Sequence, residues 1–458
     1  MINNQVFYVG LEYLTCIINE MYYWFMGKEL FLKYGSYIEN LILLASIIIF
    51  FAYIKSKFVH SKELRNAYGA LYLILGVSIL SAIFYLFGHK GDSFWDINVV
   101  QCADMAFYKG INPYESWKIE TDCMRTVLPL QYTYLPLLLT VLPFEYLSMG
   151  LGETIWVFLV IVSIFLLCTN AKKLFEIDMP LLFLIILFLA LFGGINIISL
   201  QAANISFFVY LAILISLKYL INKVDEWKFY LILGIVVSIK FHMAAFILLP
   251  IVIDNRINFK YIGVFIASFG LIFLVNYLLY PNLLTYWIAN LGYVDIGLRP
   301  YFFQSSLYNQ YFSGSISPVY FNYLVHVCLA PFLFITISIF RNYLKKIQLD
   351  NTEFNIILTI LTCMMVILIL PRVKHYDFIL LSVIVFRVFH DSIKSLAKSD
   401  MILKFLACLT ILIVIYSSIY LQPKWDNYAF YEIFLLFISY MLLQARRIKL
   451  IRNGVIKK

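Results

Sequence analysis

Charge is what this sequence has least of. Asp, Glu, Lys and Arg make up 13% of its 458 residues, against about 25% in soluble domains. Hydrophobic side chains make up 63%, with a mean hydropathy of +0.87. A soluble globule of this make-up would lack the polar surface to stay dispersed. Cysteine pairs of the CxxC kind are missing although the chain has seven cysteines, so a zinc or redox motif has no support. No Walker-type or dinucleotide glycine pattern occurs, and no nucleotide-binding loop is expected. No Lys or Arg precedes Lys28, so the first residues lack the charged start of a signal peptide. An all-α polytopic membrane protein is the class that remains. Its net charge of +9 then reads first as a topology signal, and no nucleic-acid partner is expected. Aromatic residues are abundant at 18% and suit interfacial belts and sugar-stacking surfaces equally.

A crossing helix takes about 20 apolar residues. Such runs lie near 38–54, 68–88, 152–168, 180–198, 205–221, 261–280, 319–340, 353–371, 402–421 and 428–444, and the shorter 376–389 joins them. That gives about 11 crossings, or about 12 if residues 5–26, which hold Glu12 and Glu20, span rather than lie at the interface. Basic residues set the sidedness. Arg446, Arg447, Lys449, Arg452, Lys457 and Lys458 place the C-terminal tail in the cytoplasm. Lys394 and Lys398, Arg341 to Lys346, Arg256 and Lys260, Lys218 to Lys228, Lys172 and Lys173, and Lys55 to Arg65 belong there too. All can do so only if 229–253 enters and leaves on one side, and if 134–147 dips in from the other face or lies along it. Lys240-Phe241-His242 splits the first of these into halves too short to span. Pro136 and Pro143 bracket the second, and proline breaks the helical ladder. Two outer loops, about 89–133 and 281–318, are then long, so the chemistry is expected at the outer face. The chain divides into an N-terminal helix at 1–37, a catalytic membrane module at 38–390, C-terminal crossings at 391–444 and a basic tail at 445–458.

In the first outer loop, Trp95, Val99, Cys102/Ala103 and Ala106/Phe107 recur at helical spacing. Gly110 supplies the stop and Pro113 prevents renewal, so a short amphipathic helix should lie on the outer surface. Asp96 falls in its first turn, where two readings stand. Ser93-x-x-Asp96 has the form of a capping box, and a carboxylate there also suits the helix dipole; the other reading is a catalytic base. Asp92 and Asp104 read as solvated.

These pieces, taken in order, carry a resemblance. An acidic residue past a crossing, a short helix and Gly110-x-Asn112-Pro113-Tyr114 resemble the first loop of family 87 glycosyltransferases, which are polyprenyl-phosphate-mannose-dependent enzymes of the C-type fold. Tyr132-Thr133-Tyr134-Leu135-Pro136 is similar to the family's Tyr-x-Tyr-Pro-Pro run, with Leu135 in place of the first proline. Gln201-Ala202-Ala203-Asn204 resembles its Gln-x-x-Asn. Ser238-Ile239-Lys240-Phe241 resembles an Ile-Lys-Pro element with Phe241 where proline is usual. Pro371-Arg372-Val373-Lys374-His375-Tyr376 resembles a Ser-Pro-x-Ser-x-x-His-Tyr element without the serines, and Gln304-Ser305-Ser306-Leu307 an Asn-Gln-Ser-Leu.

The resemblance implies a sugar, mannose first, moved from a polyprenyl phosphate to a glycolipid, polysaccharide or protein acceptor by single displacement with inversion. No cofactor or metal is expected. Asp96 is the implied base, with His375 supporting it. Lys240, Arg372, Lys374 and Arg299 are the candidates for the donor phosphate, since cations near a departing phosphate lower the barrier. A snorkelling lysine or a solvated turn would explain Lys240, or Arg372 with Lys374, equally well. Gln201, Asn204, Tyr134 and Gln304 are candidates for sugar or acceptor, against interhelical hydrogen bonding and interface anchoring. Cys102 and Cys123 share the loop and could pair in an oxidising compartment. The expected location is a bacterial inner membrane with an extracytoplasmic site. A polysaccharide polymerase or ligase using a lipid-diphosphate donor and a lipid-linked-sugar flippase are the rival functions. No inverted repeat of the transporter kind is evident.

Overall fold

The computed structural model describes residues 95–115, 134–141, 149–297, 318–346, 349–370, 375–419 and 429–455. The chain divides into two compact units, one of residues 1–74 with 421–423 and one of 75–420 with 424–458. The described residues all belong to the second. The expected crossings at 38–54 and 68–88 and the N-terminal helix at 5–26 lie outside them.

Among the described residues the regular structure is helical throughout. The helices are α1 (Trp95–Tyr108), α2 (Pro136–Val141), α3 (Met149–Leu174), α4 (Leu181–Gln201), α5 (Ser206–Ile221), α6 (Trp227–Ile239), α7 (Leu248–Asp254), α8 (Phe259–Leu279), α9 (Pro281–Gly297), α10 (Pro318–Lys345), α11 (Asn351–Ile369), α12 (Phe378–Leu396), α13 (Met401–Ile419) and α14 (Ala429–Arg452). By length and composition α3, α8, α11 and α13 can each cross a bilayer, and α4 is a fifth if its two bent halves count as one span. The bend falls at a glycine pair, where Phe192 and Gly194 both take positive φ, a usual place for a helix to kink. The chain is therefore an all-α, multi-pass membrane protein.

One end of the bundle is closed by ion pairs. Arg387 of α12 grips Glu353 of α11 through two bonds of 2.8 and 2.7 Å, reaches Asp391 at 2.9 Å and donates to the Phe175 carbonyl after α3. Tyr440 and Gln444 of α14 donate to the other Asp391 oxygen at 2.9 and 2.8 Å. The amide of Asp178, before α4, donates to His390 at 3.1 Å. Charges this deep need partners of this quality. Close by in the same framework, Asn355 of α11 donates to the Ile221 carbonyl that ends α5. Arg341 of α10 donates to the Ile253 carbonyl of α7 at 3.1 Å, and Lys223 pairs with Asp254. The basic turns after α3, α5, α7, α10 and α12 and the end of α14 thus share one end, called the basic end below.

The Lys223–Asp254 pair ties the start of the 227–254 segment to its finish. Between them, α6 stops at Ile239, Lys240 is extended, and a 3-10 turn over Phe241–Ile247 leads into α7. The segment therefore enters and leaves at the basic end. At 13 residues, α6 rises about 20 Å, short of a hydrocarbon core of about 30 Å.

Two sequence expectations need correcting. Residues 281–297, read as loop, form α9, with Pro281 at the position where proline suits a helix start. Its Leu284 and Trp287 bury against Leu135, and Ile272 and Phe273 of α8 close the cluster; tertiary packing makes this helix where no periodic pattern announced it. Asp104, read as solvated, is buried, because α1 is covered on nearly every side rather than lying open on a surface.

Candidate active site

The end of the bundle opposite the ion pairs gathers the polar residues of interest. α1 runs to Tyr108 and stops at Gly110, whose φ of +74° suits a residue without Cβ. The amides of Gly110 and Ile111 bond back to Phe107 and Ala106, closing the helix as its sequence foretold. Beyond it, Asn112 folds an Asx turn by accepting from the Tyr114 amide at 3.1 Å while donating to Glu115 at 3.0 Å. Tyr114 then donates its hydroxyl to the Tyr134 carbonyl at 2.7 Å. The Asn-Pro-Tyr motif is thus a bracket joining the first loop to the start of α2. From the other side, Asn276 of α8 accepts the Leu137 amide at 2.8 Å. Tyr134 is held between them.

Asp96 stands in the first turn of α1, half-buried. Asn204 donates to its Oδ2 at 2.6 Å, and the Asp96 amide bonds to the Ala202 carbonyl at 3.2 Å. Asn204 is itself fixed, its Oδ1 accepting from the amide of Ser206 at 2.8 Å and from the Ser206 hydroxyl. Trp156 of α3 donates to the Ala203 carbonyl at 2.7 Å, so the α4–α5 connection that carries Asn204 is clamped from two sides. Ser93, the other half of the suspected capping box, lies outside the described residues.

Lys240 occupies the break in the re-entrant segment, 6% exposed. Its Nζ lies 3.7 Å from Oδ1 of Asp377 and 3.5 Å from the centre of the Tyr376 ring. Asp377, in the turn His375–Asp377 before α12, also accepts the Tyr210 hydroxyl at 3.0 Å and lies 3.2 Å from Nε2 of His242. Burial drives the Tyr134 phenol well above its ordinary pKa, and the nearby carboxylates of Asp96 and Asp377 push it further. Tyr134 is therefore a protonated hydroxyl that feels both acids.

An apolar cleft of about 460 Å³ runs between α3, α5 and α6, with Trp156, Ile205, Phe208, Ile235 and Ile239 among its walls. Ile205 follows Asn204 and Ile239 precedes Lys240, so the cleft reaches the chain on both sides of the polar cluster.

Of the sequence-chosen residues, the structure therefore brings Asp96, Tyr134, Asn204 and Lys240 to one end. Gln201 closes α4 and His375 opens the turn before α12; their side chains, like all of Arg299, Gln304, Arg372, Lys374 and Cys123, lie outside the described residues. Cys102 is disulfide-bonded. Asp377 and Tyr210 stand in no local pattern that points to a site, and His242 reads from the sequence only as a weaker candidate than His375. An acidic residue opening an apolar helix reads as an N-cap, yet Asp377 makes no side-chain capping bond.

Compared with known families, residues 132–371 match the family model of glycosyltransferase family 87, just over half of the chain. Tyr134, Gln201, Asn204, Lys240, Arg299 and Gln304 fall inside the match, and Asp96, Arg372, Lys374, His375 and Asp377 outside it. A search of curated proteins found no match.

Proposed function

Because the chain belongs to glycosyltransferase family 87, we propose that it transfers mannose from a polyprenyl phosphate to a lipid, polysaccharide or protein acceptor at the outer face of a bacterial inner membrane. The acceptor hydroxyl oxygen attacks the anomeric carbon from the face opposite the phosphate. The bond from that carbon to the phosphate oxygen breaks, polyprenyl phosphate leaves, and the configuration inverts. The proton of the acceptor hydroxyl passes to Asp96. One carboxylate suffices for a single displacement, unlike the pair a glycosidase needs.

The observation that carries this reading is the Asn204–Asp96 bond. An amide donor holds the carboxylate in one orientation, which is what a general base requires before substrate arrives. Lys240 supplies positive charge for the departing phosphate, where a preorganised cation in a desolvated site acts most strongly. Arg299, Arg372 and Lys374 remain candidates for the same anion, and His375 for support of the base. The cleft between α3, α5 and α6 suits the hydrocarbon tail of the donor, since its wall ends at Ile239, next to Lys240. Tyr134, Gln201 and Gln304 are proposed to face sugar or acceptor.

The test is transfer of labelled mannose from polyprenyl-phosphate-mannose to a host lipid extract by the purified protein, wild type beside Asp96→Asn. Loss of a positioned base costs about 10²–10⁴-fold in rate, so label transfer should fall by that much while the variant stays folded. Undiminished transfer would remove Asp96 from the mechanism. Transfer by neither protein would direct the search to another lipid-linked donor.

A further inference from the structure

We infer that Asp377 is a positioning residue for the donor phosphate, acting through Lys240 and His242. The inference rests on the reading of Lys240 as the phosphate contact. Three side chains, one from α5 and two from the tip of the re-entrant segment, approach one oxygen of this carboxylate: the Tyr210 hydroxyl at 3.0 Å, His242 Nε2 at 3.2 Å and Lys240 Nζ at 3.7 Å. Asp377 is 1% exposed, and it precedes α12 where an aspartate would ordinarily cap the helix, but no capping bond is made. Its side chain is directed sideways, to the tip of the re-entrant segment.

The geometry of that tip explains why a carboxylate belongs there. Lys240 is extended and His242 lies two residues on, in the 3-10 turn, so both side chains leave the chain toward α12. An ionised carboxylate only accepts, so His242 meets it with Nε2–H, which fixes the ring. The Tyr376 ring bounds Lys240 Nζ on another side. A lysine stem is long and flexible, and the Asp377 carboxylate and the Tyr376 ring both bound where its ammonium sits. With them, two N–H-bearing side chains are arranged before an anion arrives, one buried and one about a third exposed at 31%. The exposed imidazole forms the rim and the ammonium the floor of a site for a phosphate monoester or diester.

The measurement is binding of undecaprenyl phosphate against undecaprenol to the full-length protein in nanodiscs, for wild type, Asp377→Asn, Lys240→Met and the double variant. Wild type should prefer the phosphate. Asp377→Asn should lose about tenfold to a hundredfold of that preference, the scale of a charge-assisted contact. The double variant should lose no more than Lys240→Met alone, since residues acting as one unit are not additive. A purely structural tie between α5 and α12 would instead lower the melting temperature and leave the phosphate preference intact; that result, or losses that multiply in the double variant, overturns the inference. A wild type without any preference sinks the donor reading and this inference with it. Should Asp377→Asn not fold, Lys240→Met and His242→Asn are read in the same cycle. Their losses should overlap, and a His242→Asn protein with full preference refutes a shared site.

Discussion

Asn204 binds with both ends of its amide. Its nitrogen holds Asp96 and its oxygen takes the amide and hydroxyl of Ser206, so the carboxylate is tied to the N-terminus of α5. Replacing Asn204 by Ala leaves the base present but unaimed. Misplacement of that order costs about 100-fold in turnover, and because the donor's tail and phosphate contacts are untouched, its KM should change little. Steady-state transfer kinetics check both numbers, and a rise in KM at constant kcat would instead make Asn204 a sugar contact. Asp96 and Asn204 were legible as residues because each stands in a local pattern. Asp377 was not. Its partner Tyr210 lies 167 residues away in sequence, and no spacing within a segment reports a contact of that range.

Helix boundaries were legible because apolar runs, glycine stops and basic turns are local signals. The break at Lys240 was legible for the same reason, a charge inside a run too short on either side. The fit of α6 against α8 was not. A Cβ on Gly234 would stand 1.8 Å from the Ser268 hydroxyl and 2.7 Å from the Phe265 carbonyl oxygen. Helices in membranes associate through such close approaches of small residues. Gly234→Ala must push the re-entrant segment off α8, with an overpacking cost of about 1–3 kcal/mol, visible as a lower melting temperature in detergent. A second element-level contact joins α13 to α14 at the basic end. Arg446 grips Asp400 through bonds of 3.0 and 2.6 Å, and those bonds, with the Leu403 amide, hold the Asp400 carboxyl below its ordinary value of 3.8. A lowered folded-state pKa means the contact stabilises above the unfolded value and is lost as pH falls through the folded one. Asp400→Asn should therefore melt earlier than wild type at neutral pH, and the difference should shrink once the pH drops below about 4. A gap that persists in acid would assign the effect to packing.

At the scale of the whole molecule, the charge pattern groups the turns after α3, α5, α7, α10 and α12 with the end of α14, and the Arg387 network with the Lys223–Asp254 tie agrees with that grouping; the Lys55–Arg65 turn lies outside the described residues. Composition settled the all-α membrane class. What sequence did not convey was depth: α1 reads as a surface helix and is buried, and 281–297 reads as loop and is helix, since both depend on what covers them. Depth also governs the re-entrant segment. α8, with 21 residues, rises about 32 Å, long enough for a hydrocarbon core of about 30 Å, whereas α6 ends after at most about 20 Å. With α6 starting level with the basic-end boundary, Lys240 would sit roughly 10 Å beneath the far boundary of an average bilayer, as a depth gauge fixed at its base. A phosphate riding at headgroup level meets the gauge most easily where the sheet of lipid is thin, so transfer in vesicles should slow steadily as acyl chains are lengthened from short to long.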